Sequence, residues 1–159
     1  MTSFKSNRNI YRLMAEYERD HQDATNRRLH FVAVPLIFFC VVAFLTEIPV
    51  PQSLQKLPGG WLPIAALAAT IYYMRRSVTA GIIMIAFTLL CFGIIELLRY
   101  HELPVGEISL GLFIVLSGVQ YVGHSIEGKR PSFYRDAQFL LIGPVWVFHK
   151  LLSPLGVRY

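Results

Sequence analysis

Five histidines are the residues of this sequence whose type and position could support chemistry. His21 and His30 come just before the first long apolar run, and His124 follows a later one. His149 lies near the end of the last apolar run, whereas His101 is alone in a polar connection. Because imidazole is a frequent ligand of iron, zinc and copper, four of these side chains can form a metal site if the fold brings them to one side.

A carboxylate is placed to join this group. Glu127 follows His124 by three positions, so the two side chains share one face wherever the helix continues. A carboxylate and an imidazole can then bind the same metal. The alternative interpretation is that the histidines are interfacial anchors and that Glu127 pairs with Arg130. The residues alone leave both interpretations open.

The elements that must position these residues belong in a membrane. Hydrophobic residues make up 54% of the 159 residues and charged residues only 16%, and the mean hydropathy is +0.47. So little polar surface cannot coat a globule of this size, which excludes an ordinary cytosolic enzyme. The net charge of +5 comes from basic residues at the ends of apolar runs. Membrane lipid and insertion topology explain that placement, and no nucleic-acid partner is expected.

The apolar runs predict an all-α integral membrane protein of one domain with about four transmembrane helices. Ile10, Met14 and Tyr17 recur at helical spacing in a charged stretch, which indicates an amphipathic helix at the membrane surface. Most later runs approach the roughly 20 residues that a crossing needs. The predicted segments are an interfacial helix at 1–28, transmembrane helices at 29–49, 61–74, 78–98 and 106–123, and a re-entrant or interfacial segment at 138–152.

The last segment decides the topology. Its Gly143–Pro144 pair predicts a broken helix, because proline lacks the amide hydrogen and fixes φ. If this segment does not cross, both termini share one side, and every basic residue except Lys56 and Arg99 lies there. The positive-inside rule then makes that side cytoplasmic, in a bacterial inner membrane or in the endoplasmic reticulum.

The same topology gathers the histidines. With both termini cytoplasmic, His21, His30 and His124 lie at the cytoplasmic ends of their helices. His149 can join them only if 138–152 does not cross, since a straight helix from Asp136 would carry it about 20 Å away at about 1.5 Å per residue. The charge distribution and the metal hypothesis therefore require the same arrangement.

Two groups of residues resemble a known family. The first group is Tyr17, His21, Asn26, His30 and Pro35, and the second is Gln120-Tyr-Val-Gly-His124 with Glu127 and Pro131. Together they resemble the family of the fungal 2-hydroxy fatty acid dioxygenase of phytosphingosine breakdown, which includes many bacterial membrane proteins. The likeness extends over nearly the whole chain.

The resemblance implies an iron(II)-dependent dioxygenase that consumes O2 and converts a 2-hydroxy fatty acid into a fatty acid one carbon shorter. His21, His30 and His124 are the implied ligands, with His149 as a fourth at a position where the fungal relative has Glu. Glu127 is implied as an outer partner that orients an imidazole or takes a proton. Iron rather than zinc rests on the resemblance, since imidazoles accept either metal.

Several residues near the histidines are candidates for supporting the site or binding the substrate. Asn26 either holds a ligand imidazole or caps a helix. Gly123 either allows two helices to approach closely or is incidental in a span rich in small residues. Four basic side chains flank the site and either meet the substrate carboxylate or contact lipid headgroups; they are Arg27, Arg28, Lys129 and Arg130.

Two other classes of function stay open on the residues alone. A small membrane transporter is disfavoured because one copy has no inverted repeat and no ring of polar groups in mid-span, although a homo-oligomer could supply a pore. A metal-free structural membrane protein would need none of the histidines. A di-iron hydroxylase or desaturase would need dense HxxxH and HxxHH motifs, which this sequence lacks.

Overall fold

Helices account for nearly all of the fold. The computed structural model describes residues 3–56, 58–128 and 133–159, and those residues include no strand. This confirms the predicted all-α membrane fold. The helices are α1 (Ser3–Asp20), α2 (Ala24–Glu47), α3 (Leu62–Met74), α4 (Val78–Tyr100), α5 (Val105–Glu127) and α6 (Phe133–Leu152), with short 3₁₀ turns at Gln52–Leu54 and Ser153–Leu155.

Three helices within the described ranges are long and apolar enough to cross a membrane. They are α2, with 24 residues, and α4 and α5, with 23 residues each. The predicted span at 61–74 is the 13-residue α3, which is about 20 Å long against a hydrocarbon core of about 30 Å. Gly59 and Gly60, both with positive φ, form the turn before it. The membrane crossing of α3 therefore stays a prediction.

The predicted interfacial helix 1–28 is interrupted. Residues 21–23 form a turn between α1 and α2. Asp23 produces this break, because its carboxylate accepts hydrogen bonds from the amides of Thr25 (2.7 Å) and Asn26 (2.9 Å) and so caps α2. The charged residues and helical spacing of 1–28 predict one continuous helix, so they did not predict this cap. The break places the first histidine in a short turn rather than within a helix.

α2 and α5 form a closely packed antiparallel pair. At one end, Gly123 of α5 lies against Asn26 of α2. Towards the other end, the rings of Phe44 and Phe113 have their centroids 5.7 Å apart. The start of α2 therefore lies beside the end of α5, where His30 and His124 are found. We call this the histidine end of the bundle.

At the opposite end, an ionic cluster joins α2 to α4. The Arg99 guanidinium donates to the carboxylates of Glu47 and Glu96, at 2.6 Å each. It also donates to Thr46 Oγ1 at 2.7 Å. Charge-assisted hydrogen bonds of this kind are shorter and stronger than neutral ones. The cluster therefore fixes the ends of α2 and α4 relative to each other, at the end of the bundle opposite to His30 and His124.

α1 and α6 pack against each other, and α6 also packs against α2. Ile10, Met14 and Tyr17 are buried along one side of α1, as the amphipathic spacing predicts. The Tyr17 ring lies 5.3 Å from the ring of Trp146 on α6, between centroids. The apolar face of α1 thus packs against protein.

α6 continues through the Gly143–Pro144 pair, so the predicted helix break does not occur. Proline removes one backbone hydrogen bond of the helix. Close to it, the Tyr73 hydroxyl donates to the carbonyl of Leu141 at 2.8 Å. Residues 142–147 are all buried. Packing on both sides of the proline therefore outweighs its helix-breaking tendency.

Two contacts, one from the middle of α6 and one from its last turns, lie near the histidine end. Leu141 accepts its hydrogen bond from Tyr73, near the end of α3. Lys150 Nζ lies 2.7 Å from a carboxylate oxygen of Glu18, in the last turn of α1. These contacts agree with a segment that does not cross the membrane. The interfacial location of 138–152 and the cytoplasmic location of both termini stay predictions.

The packing of α6 on α2 can be tested at Gly143. A Cβ added there would lie 2.8 Å from Val34 Cγ1, and a β-branched side chain has little freedom to move away. We expect Gly143→Ala to destabilise the protein by about 1–3 kcal/mol, measured as a lower melting temperature in detergent. Gly93→Ala on α4 is the control, because nothing lies within 4 Å of its Cβ position. Equal stability of the two variants would contradict this close packing.

Candidate metal centre

Three histidines from three segments meet at the histidine end. His21 belongs to the turn after α1, His30 to the second turn of α2 and His124 to the last turn of α5. One ring nitrogen of each lies within 4.8 Å of the others. The ring centroids are separated by 4.4 Å for His21 and His30, 5.0 Å for His30 and His124, and 5.5 Å for His21 and His124. These side chains could hold one metal ion.

Backbone hydrogen bonds orient two of these imidazoles. His21 Nδ1 donates to the carbonyl of Tyr17 at 2.7 Å, and His30 Nδ1 donates to the carbonyl of Asn26 at 3.0 Å. Because a carbonyl can only accept, each Nδ1 carries the proton and each Nε2 keeps its lone pair. Histidines that bind metals are commonly held in this way by a bond from the other ring nitrogen. Both rings are therefore in the tautomer that binds metal through Nε2.

The surroundings keep His21 neutral. Its side chain is buried, and the Tyr17 ring stacks on it with centroids 4.2 Å apart and planes inclined by 18°. Burial lowers the pKa of His21, and the opposing effects of the Tyr17 carbonyl and the Glu127 charge do not cancel this. Burial also raises the pKa of the Tyr17 hydroxyl. This wall of the site therefore consists of uncharged rings, and a neutral imidazole is the form that binds metal.

Glu127 connects the end of α5 to the turn that carries His21. Its Oε1 accepts the amide hydrogen of Gln22 and its Oε2 that of Asp23, both at 2.8 Å. Its Oε2 also accepts a hydrogen bond from Asn26 Nδ2 at 3.1 Å. In this arrangement the carboxylate binds the polypeptide that surrounds the imidazoles.

Asn26 lies at the contact between α2 and α5 and is completely buried. Asp23, not Asn26, caps α2. The Asn26 carbonyl holds His30, and its side-chain oxygen faces Gly123 so closely that a Cβ on that glycine would overlap it. The same Cβ would lie 3.5 Å from His30 Cε1. Gly123 is therefore the residue that permits the two helices to approach here, which is one of the two roles that the sequence left open.

The flanking arginines differ in placement. Successive helical residues are rotated by about 100°, so Arg28 points nearly away from His30 whereas Arg27 lies on the flank of the same face. In agreement, Arg28 is exposed and Arg27 is half-buried. Lys129 and Arg130 lie outside the described residues. Of the two described arginines, Arg27 is thus the one that lies nearer to the face of α2 that carries His30.

His149 does not belong to this group in the described part of the chain. Its ring packs edge-on against the rings of Tyr11 and Tyr159, with centroids 5.8 and 5.0 Å apart. Trp146 lies beside Tyr17, and one turn later on α6 His149 lies against Tyr11 rather than against the three grouped histidines. The implied fourth ligand is therefore not one of the residues that the structure brings together.

The sequence matches one protein family over nearly its whole length. The family model described as 2-hydroxy-palmitic acid dioxygenase Mpo1-like matches residues 7–155. This chain belongs to that family. Comparison with curated proteins and with solved structures finds no match in either set. The family resemblance inferred from the two residue groups is confirmed.

The histidine group of this Mpo1-like protein has the chemistry of a transition-metal site. Three imidazoles suit iron, zinc or copper, and they leave coordination positions for other ligands. Two of the three are oriented by backbone carbonyls, and burial favours the neutral ring at His21. The residues therefore fit a metal ion.

Two residues of the Mpo1-like site were not given roles from the sequence. Asp23 shapes the turn, and its position just before a run of helix-forming residues is the usual signal of an N-cap. Tyr17 stacks on His21 and holds its Nδ1. The only signal for this contact is the spacing of four residues, which places two side chains on one helical face.

The close approach of α2 and α5 can be tested through metal binding. In Gly123→Ala the new methyl group must displace Asn26 or His30, so we expect metal affinity to fall by at least about tenfold. Gly118→Ala on the same helix is the control, since nothing lies within 4 Å of its Cβ position. Metal per chain is measured by mass spectrometry after dialysis against graded free metal. Equal metal content in both variants would contradict the role of Gly123.

Proposed function

We propose that this protein is an iron(II)-dependent dioxygenase that converts a 2-hydroxy fatty acid into the fatty acid one carbon shorter. Membership of the 2-hydroxy-palmitic acid dioxygenase Mpo1-like family supports the reaction and the class of substrate. The observation that carries the proposal is the convergence of three imidazoles within 4.8 Å at one end of a membrane bundle. His21, His30 and His124 are the proposed metal ligands.

Iron(II) with three imidazole ligands supplies the open positions and the Lewis acidity that a 2-hydroxy carboxylate and O2 require. The protein's own part is to hold the ligands and to exclude water. The carbonyls of Tyr17 and Asn26 fix two rings in one tautomer. The stacked Tyr17 ring closes the side of the site behind His21. His124 is less buried than the other two ligands, so the substrate approaches from its side.

The substrate has a polar carboxylate end and an apolar acyl chain, and this region offers a polar helix end beside apolar helix surfaces. The histidine end is one of the two polar ends of these apolar helices, and basic side chains occur beside it. We place the substrate carboxylate near Arg27 and the acyl chain along the apolar helices, among membrane lipids. In this proposal the histidine end and both termini face the cytoplasm, as the distribution of basic residues indicates.

Arg27 and Arg28 provide a matched pair for testing carboxylate binding. We expect Arg27→Gln to raise KM for 2-hydroxypalmitate by at least about tenfold, because a charge-assisted hydrogen bond contributes about 1.5–3 kcal/mol and about 1.4 kcal/mol is a factor of ten. Arg28→Gln should leave KM nearly unchanged, since that side chain is exposed on the other face of α2. Oxygen uptake is measured against substrate concentration in detergent. Equal effects of the two substitutions would indicate lipid contact for both arginines.

The reaction itself is tested by metal content together with oxygen consumption. Purified protein should contain near-stoichiometric iron and consume O2 when 2-hydroxypalmitate is added, with pentadecanoate as the product. His124→Ala should lose both properties, because it removes one of three ligands. His101→Ala is the control, since this exposed histidine lies in the connection between α4 and α5, away from the site.

Other outcomes would exclude the proposal. Bound zinc without oxygen uptake would retain the site and overturn the oxygenase reaction. Absence of metal from anaerobically purified protein would overturn the metal centre. Ion or solute flux into protein-containing liposomes would then favour a small transporter, and absence of flux a structural membrane protein.

A further inference from the structure

The Glu127 carboxylate has a role that neither metal binding nor substrate binding explains. We infer that Glu127 is a positioning residue, a clamp that sets the spacing of the three imidazoles by holding the α1–α2 turn against the end of α5. The inference rests on the proposed function only in that the imidazoles bind a metal.

The first support is that both carboxylate oxygens bind the α1–α2 turn. Oε1 accepts the Gln22 amide and Oε2 the Asp23 amide, each at 2.8 Å. These are consecutive backbone groups just before α2, where amide hydrogens have no helical partner. A carboxylate is well suited to them, because its two oxygens accept side by side and because negative charge is favoured at a helix N-terminus.

The second support is the position of the clamp relative to the ligands. Gln22 directly follows His21, and Glu127 lies one turn after His124 on α5. The clamp therefore joins two ligand-bearing segments that are distant in sequence. The third ligand is reached through Asn26, whose side chain donates to Glu127 and whose carbonyl accepts from His30. One carboxylate is thus connected to the backbone or the side-chain partners of all three ligands.

A clamp and a role based on charge alone predict different effects of substitution at Glu127. In Glu127→Gln, the amide NH2 group must face a backbone N–H, so one of the two turn contacts becomes a donor facing a donor. In Glu127→Asp, the charge remains but the shorter side chain cannot reach the turn from the same helix position. A role based on charge alone therefore predicts that Glu127→Asp still holds the α1–α2 turn. A clamp predicts that neither variant holds it.

A direct test is hydrogen exchange in the α1–α2 turn. We expect the amides of Gln22 and Asp23 to exchange at least about tenfold faster in Glu127→Gln and in Glu127→Asp than in the unsubstituted protein. Glu107→Gln is the matched control, because Glu107 is an exposed acid in the first turn of the same helix. This measurement needs neither metal nor substrate. Unchanged exchange at both amides would overturn the clamp.

A second test separates positioning from catalysis. We expect both Glu127 variants to bind iron(II) or cobalt(II) about 10–100-fold more weakly, as is usual when an outer partner of a ligand is lost. At saturating iron, kcat for 2-hydroxypalmitate should return to within a few fold of its original value. A kcat that stays low at saturating iron, with normal metal affinity, would identify Glu127 as a proton acceptor instead.

The two proposals can fail separately. If the unsubstituted protein binds metal but consumes no O2, the dioxygenase proposal fails while the clamp is still tested by metal affinity. If the protein binds no metal, hydrogen exchange still decides whether Glu127 holds the turn. Loss of protection in Glu127→Gln together with intact protection in Glu127→Asp would assign the effect to charge and overturn the clamp.

Discussion

The antiparallel contact between α2 and α5 is the constraint on which the site depends. In a membrane, the hydrophobic effect does not drive apolar helices together, so close packing and polar contacts must do so. Gly123 supplies the close packing, since any side chain there would collide with Asn26. Glu127 supplies the polar contact, through the turn before α2 and through Asn26. The contact that joins the helices thus also sets the distance between His30 and His124.

Charged side chains form hydrogen bonds between segments at both ends of the described bundle. Arg99 holds the ends of α2 and α4 at one end, and Glu127 holds the start of α2 at the other. A shift of α2 by one helical turn is about 5.4 Å, which exceeds the reach of any hydrogen bond in either cluster. The two clusters therefore fix the height of α2 from both sides. The position of His30, near the start of α2, is therefore fixed as well.

The sequence predicted the fold class and the shared end of the bundle at which three of the histidines meet, because both follow from apolar length and from the positions of charged residues. It did not predict the path of α6. Pro144 is a strong helix breaker in isolation, but the buried stretch 142–147 and the Tyr73 bond to Leu141 preserve the helix. The location of His149 depends on how α6 packs against α1, which is a choice between helix faces. Local spacing carries no signal for such a choice.

The break between α1 and α2 shows why local pattern alone could not build this site. If one helix ran through residues 3–47, His21 and His30 would be separated by nine residues, which is about 13.5 Å along the axis and about 180° around it. No single ion could bind both rings. The turn at 21–23 brings their centroids to 4.4 Å. Asp23 caps the start of α2, and Glu127 accepts hydrogen bonds from the turn amides just before it. A charged stretch with helical spacing must therefore be interrupted for the histidines to meet, and residues on α2 and α5 together stabilise that interruption.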